Sequence, residues 1–214
     1  MELVRQHSLP VLDRQLRLDD IAGEADWWID QGAGTITLGD LIAQIQFIGS
    51  ESEKPHDWMW AWANENVDPP LAAAVGRLRA AHDHLMEMAQ PHYRMPRGIE
   101  GHAIATVAAG LSNADAYYRG PHPGGAVFVM LSLPADQPLP DWSPLRRAGA
   151  TLRAAPLALF VPVGSDEVTA YLRNLGLQPD GSGGAISVRG PEGELVVRFD
   201  RKGRITSVET DAAA

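Results

Sequence analysis

The chain has 214 residues, 45% hydrophobic and 21% charged, enough apolar material for one large domain or a domain with a small companion. It contains no cysteine, which excludes disulfides, thiolate catalysis, zinc-finger sites and iron–sulfur ligation, and fits a reducing cytoplasm. Its net charge of −9 sits wholly in residues 1–68, which hold 13 Asp+Glu against 4 Lys+Arg, while residues 69–214 hold 14 of each; a field of that sign repels nucleic acid and anionic lipid and attracts a basic partner.

No apolar run approaches the ~20 residues of a membrane helix. The opening Met-Glu-Leu-Val-Arg-Gln-His lacks the basic head and apolar middle of a secretory signal. The expectation is a cytoplasmic protein with neither a membrane nor a nucleic-acid partner.

In chain order, residues 8–20 predict a short helix with Ser8 as cap and Gly23 as stop. Residues 27–30 and 35–38 predict strands around the turn Gly32-Ala33-Gly34. Residues 41–48 alternate, with Leu41, Ala43, Ile45 and Phe47 on one side. Ser50 to Asp57 reads as a loop and residues 58–63 as a further strand. Asp68-Pro69-Pro70 starts a helix whose stripe is Leu71, Val75, Leu78, His82 and Leu85. Residues 89–98 read as a connector and 99–111 as a second helix. Tyr118 to Gly125 is turn-rich and leads to the apolar run 126–131, a strand buried on both faces. Pro134, Pro138, Pro140 and Pro144 mark a boundary. Beyond it, 157–163 reads as a strand and 165–175 as a helix stopped by Gly176. The glycine run 181–184 reads as a turn, and three hairpin-linked strands follow at 185–189, 194–199 and 204–209. The fold class expected is α+β: a mostly antiparallel sheet with packed helices over residues 1–133, then a smaller β-rich unit over 145–210, with the boundary in 134–144.

Five of the six tryptophans lie between residues 27 and 62. Trp58, Trp60 and Trp62 are spaced by two, which on a strand puts all three indoles on one face. That wall is either core beneath the helices or the side of a groove, and one end of it can be each. Asn64 follows at the strand end, where asparagine commonly ties a turn.

The run Trp58-Met59-Trp60-Ala61-Trp62-Ala63-Asn64, after a Gly39-Asp40 turn, resembles an uncharacterised bacterial domain family with a Trp-x-Trp-Ala-Trp-Ala-Asn signature. Ala114-Asp115-Ala116-Tyr117-Tyr118-Arg119-Gly120-Pro121 resembles the same family's second block. The resemblance spans about residues 27–131. It implies relatedness of fold and a bacterial origin, and carries over no catalytic residue.

A search for chemistry yields little. His82 and His84 are about 200° apart on a helix and cannot chelate one ion together. His102 and His122 have no visible nucleophile beside them. Gly110-Leu111-Ser112-Asn113-Ala114 fails the nucleophile elbow, because its last residue is alanine and its serine follows a helix. No phosphate-cradling glycine loop is present. The expectation is no catalytic residue, no metal site and no cofactor.

Two functional readings follow. The first is a non-catalytic interaction module that takes a basic protein partner on the acidic, tryptophan-rich first third, of which an immunity or antitoxin role is one form; Asp19, Asp20, Glu24 and Asp26 would carry the charge. The second is a small-molecule-binding protein or an unrecognised hydrolase, with its pocket between Trp58, Trp60, Trp62 and Asn64 and a loop carrying Tyr118 and Arg119.

Overall fold

The computed structural model describes residues 1–96, 99–182 and 184–212. The chain is α+β and divides into two compact units. One is continuous, Leu18–Leu139. The other is discontinuous and joins Met1–Arg17 to Pro140–Ala214. The opening 17 residues thus group with the C-terminal part, where the sequence pattern places them with residues up to 133. Among the described residues, no helix is long and apolar enough to cross a membrane.

The first helix, α1, is Glu2–Ala22 and not 8–20. Ser8 does not cap it: its hydroxyl donates to the Val4 carbonyl one turn back. Gly23 does end it, with φ +57° and its N–H on the Asp19 carbonyl at 2.8 Å.

The continuous unit is built on a seven-stranded antiparallel sheet. Its strands are β1 (Trp27–Asp30), β2 (Thr35–Leu38), β3 (Leu41–Ser52), β4 (Asp57–Trp60), β5 (His92–Arg94), β6 (Ala116–His122) and β7 (Gly125–Ser132). β3 is the spine. One of its edges pairs with β2 over residues 41–44 and with β4 over 49–52; its other edge pairs with β7, which pairs with β6. The apolar run of β7 is indeed buried on both faces, with Phe128, Val129 and Leu131 fully sealed.

β3 carries a bulge at Ile48, because Phe47 pairs with Val129 while Gly49 pairs with Phe128. The extra residue reverses the alternation. Ile45 and Phe47 share a face with Val129 and Leu131, whereas beyond the bulge Gly49 and Glu51 lie on the opposite face with Phe128, Trp58 and Trp60. Three helices flank this sheet: α2 (Ala73–Ala81), the single turn α3 (Met86–Ala89), and α4 (Gly101–Leu111). α2 packs on β3, and α4 packs on β3, β6 and β7.

Several expectations change here. Residues 58–63 are not one strand: β4 stops at Trp60 and Ala61–Ala63 form a 3-10 turn. The helix expected after Pro69 is a 3-10 turn at Pro69–Ala72 followed by α2, which ends at Ala81 with His82 as its C-cap, so Leu85 lies beyond it. The connector 89–98 holds β5, and its Arg97 and Gly98 lie outside the described residues. Tyr118 and Arg119 sit within β6, not on a loop.

The discontinuous unit packs α5 (Pro144–Ala158) and α6 (Ser165–Asn174) on a four-stranded antiparallel sheet, β11-β10-β9-β8, formed by Asp180–Ser182 (β8), Ala185–Gly190 (β9), Gly193–Phe199 (β10) and Ile205–Ala212 (β11). α5 starts where the proline-rich connector was expected to end and takes in Leu157 and Ala158; the strand expected at 157–163 is absent, since residues 159–163 run as a connection between α5 and α6. Ser143 caps it, accepting the Arg146 N–H at 3.3 Å, and Pro144 takes the first helical position. Gly183, in the run read as a turn, lies outside the described residues. Leu9 and Leu12 of α1 join the core made by Leu145, Leu152, Val168, Leu172, Leu195 and Val197. Asp13 is buried in the same unit, and Arg147 closes on it through Nε at 3.2 Å and through Nη2.

Candidate functional site

Trp58 is 0% and Trp60 3% exposed. Both belong to the core, on the sheet face covered by α4. Trp58 meets Trp60 edge-on at 5.6 Å and Phe128 at 5.4 Å, and the Trp60 indole donates to the Glu87 carbonyl at 2.7 Å. Gly49 makes room for this packing. A Cβ there would come within 2.4 Å of the Met59 carbonyl oxygen and 2.6 Å of the Trp58 ring. Trp62 leaves the ladder, because the chain turns 3-10 after Trp60; it is half-buried with the Arg79 guanidinium 3.9 Å from its ring centre. Asn64 ties the turn, its Oδ1 accepting the Asn66 N–H at 3.0 Å.

Arg119 faces the same side as Trp58. Its Nε and Nη2 donate to Glu51 Oε1 at 3.0 and 2.8 Å, while Glu51 Oε2 accepts the Gly101 N–H at 3.0 Å. The carboxylate that the bulge delivers to this face therefore neutralises an arginine and caps the start of α4. Behind it, His102 Nδ1 stands 3.0 Å from the Tyr117 hydroxyl, and its ring meets Phe128 edge-on at 5.4 Å. Burial, and then the Arg119 charge, push the His102 pKa below 6.5, against the opposite pull of Glu51 and Glu100. Burial raises the Tyr117 hydroxyl. Both carboxylate oxygens of Glu51 have partners inside the protein, so this network holds α4 to the sheet. Tyr118 points to the other face, where its ring stacks obliquely on Trp27 at 5.9 Å. The six residues picked from sequence thus do not converge. Among the described residues, no three His, Asp or Glu side chains gather where they could hold a metal ion.

A different feature does stand open. Trp28 pairs with Thr37 and Thr37 with Ile42, so the three form a row across β1, β2 and β3. Trp28 is 71% and Ile42 57% exposed. The row is on the face that α2 and α4 cover elsewhere, at the end of the sheet they leave free. Asp26 and Asp30 stand two residues to either side of Trp28, and both are exposed. The Gly39 N–H donates to the Asp26 carbonyl at 3.2 Å, which brings the exposed Asp40 to the same end of the hairpin. Between Arg17 and Lys54 the chain has 8 Asp+Glu and no Lys or Arg. The alternation within Trp27-Trp28 signals this row, since two adjacent indoles on a strand must point to opposite faces.

Residues 1–134 match a family of unknown function, DUF6882. The chain belongs to that family. The DUF6882 match runs further in both directions than the tryptophan-bearing stretch that resembles an uncharacterised family in sequence. It takes in the Glu51–Arg119 network and the Trp28 row, and it leaves out residues 135–214. No curated protein and no solved structure matches the chain.

Proposed function

We propose that the protein is a non-catalytic interaction module that receives a basic protein partner on the Trp28–Thr37–Ile42 row. The observation that supports this reading is the exposure of Trp28 and Ile42 within a stretch of chain that has acids and no bases. An exposed indole beside an isoleucine is the kind of anchor that dominates binding energy, and the carboxylates of Glu24, Asp26, Asp30 and Asp40 around it would steer and select a cationic surface. The partner presents an apolar side chain to Trp28 and Lys or Arg to the acidic rim. A bacterial cytoplasmic setting, with an immunity-like or antitoxin-like role against a basic toxin, is one form of this.

The test uses the full chain as bait at low ionic strength, beside Trp28→Ser and the pair Asp26→Lys with Asp40→Lys. Basic proteins retained by the wild type bind about 30-fold more weakly to Trp28→Ser, the loss expected of one anchor of ~2 kcal/mol. Their association with the charge-reversed bait slows, and its salt dependence shrinks. If all three baits retain the same proteins equally, the row is not the recognition surface.

A further inference from the structure

β1 lies at an edge of its sheet and pairs with β2 alone. The register sets Trp27 opposite Leu38, and one step back the Gly39 N–H donates to the Asp26 carbonyl. Antiparallel strands exchange hydrogen bonds at alternate residues. Asp26, Trp28 and Asp30 therefore turn their backbone groups toward β2, while Trp27 and Ile29 turn theirs outward. Among the described residues, nothing bonds to those two N–H and two C=O groups. Backbone groups shut away from water are nearly always paired, so this edge faces water. The other edges of the sheet are guarded. β5 is 3 residues long, and β6 contains Pro121, which has no N–H to offer. β1 has no proline, lysine or bulge. Trp27 holds it in place from the opposite face, through its ring contact with Tyr118.

The side chains of β1 select what the edge can take. Asp26, Trp28 and Asp30 point to one face in an acid–indole–acid series, and all three are exposed. The Asp30 carboxylate accepts the Ala33 N–H at 3.0 Å, which orients it and leaves its charge in place. A strand laid antiparallel to β1 sets three of its own side chains directly opposite these. Because Trp28 bonds to β2, it meets the added strand in a non-hydrogen-bonded pair, where facing side chains come closest. Opposite charges and aromatic–β-branched pairs are the stabilising cross-strand combinations. The series therefore fits Lys or Arg opposite Asp26, a β-branched residue opposite Trp28, and Lys or Arg opposite Asp30.

We propose that the partner binds by strand addition: an extended segment of the pattern basic-x-apolar-x-basic pairs antiparallel with β1 and bonds to the backbone of Trp27 and Ile29. This rests on the reading of the Trp28 row as the recognition surface, and adds to it the form of the partner and the main-chain bonds that hold it.

Full-length protein labelled for amide NMR is titrated with the peptide acetyl-Ser-Arg-Thr-Val-Thr-Arg-Ser-amide. Saturable shifts are expected at the Trp27 and Ile29 amides. N-methylation of both threonines blocks the two N–H groups that would meet the Trp27 and Ile29 carbonyls, and weakens binding at least about ten-fold. N-methylation of the valine, whose N–H points away from β1, leaves affinity unchanged. The permuted peptide acetyl-Ser-Thr-Arg-Val-Arg-Thr-Ser-amide has the same charge in the wrong alternation and binds more weakly, by up to about five-fold per displaced arginine. On the protein side, Asp26→Asn with Asp30→Asn keeps an acceptor for Ala33 and lowers affinity by up to about five-fold per lost charge. Strand addition is overturned if the peptide gives no saturable shifts, if methylated threonines bind as well as the parent, or if the valine position is the sensitive one. The row itself is judged separately. A peptide that loses affinity to Trp28→Ser but ignores threonine methylation leaves the row as a recognition surface and removes strand addition alone, whereas equal binding to wild type and Trp28→Ser removes both.

Discussion

Asp13 shows what one buried carboxylate does for the discontinuous unit. It comes from the opening helix and meets Arg147, which is 134 positions further along the chain. Its side chain is 4% exposed, with Arg147 at 26% and Arg17 at 4.0 Å from the same Oδ2. Asp13→Ala removes the carboxylate that accepts from Arg147 and pairs at longer range with Arg17, and leaves the Arg147 guanidinium without that acceptor. The expected cost is about 3 kcal/mol, at the low end for a broken buried pair because Arg147 keeps contact with water. Urea unfolding of the variant measures it, and Arg147→Met paired with Asp13→Leu should recover most of the loss, since an apolar pair needs no desolvation of charge. Periodicity gives no warning of this contact. A carboxylate at position 13 on a helix that also carries Arg14 and Arg17 has local partners in reach, and the distant one is visible only once α5 is known.

At the scale of elements, α4 is held by its first turn. Glu51 caps it and His102 packs behind Glu51, so a change in the charge of His102 acts on the whole helix. The folded pKa of His102 is depressed, so the unfolded chain takes up a proton at higher pH than the folded one. Stability therefore falls as the pH drops through 6.5, and stops falling below the folded value. His7 is shifted the same way by burial, then by Arg14, and adds to the effect. Comparing urea midpoints at about pH 7.5 and about pH 5 should show this loss, and His102→Gln together with His7→Gln should flatten it. The elements themselves were legible to different degrees. β1, β2 and the C-terminal hairpins follow from alternation and turns, and α6 from its apolar spacing and the Gly176 stop, although Ser165, the cap expected from sequence, is its first helical residue and Gly164 the N-cap. α5 was hidden behind four prolines, although Ser143-Pro144 is a proper cap followed by a first-turn proline. β6 was hidden by Gly120, Pro121 and Pro123, which read as turn although the strand reaches His122 beside them. The tryptophan spacing predicted a shared face correctly for Trp58 and Trp60 and failed at Trp62, where the backbone changes period. The bulge at Ile48 shows in the sequence only as a second apolar residue after Phe47, and it decides which face Glu51 joins.

At the scale of the molecule, the charge is divided more sharply than along the sequence. The continuous unit has 16 acids and 6 bases, while the discontinuous one is close to neutral. The proposed cation-seeking row lies on the acidic one. The discontinuous unit also depends on both ends of the chain. Deleting residues 2–17 removes Leu9, Leu12 and Asp13 from its core, and residues 140–212 should then lose amide protection while the sheet around β3 keeps it. Hydrogen exchange resolved by residue reads both halves in one experiment; equal loss in the two would show that they unfold together.

That dependence has a consequence during synthesis. Leu9 and Leu12 of α1 leave the ribosome well before their partners Leu145, Leu152 and Leu195. With 122 residues between Arg17 and Pro140, and translation at about 5–20 residues per second, Leu9 and Leu12 wait on the order of ten seconds for the surfaces that cover them. During that interval a neighbouring sheet can finish folding while a half-apolar helix hangs from its start. Until β9 and β10 are made, the apolar side of that helix stays open to aggregation or to holding by a chaperone.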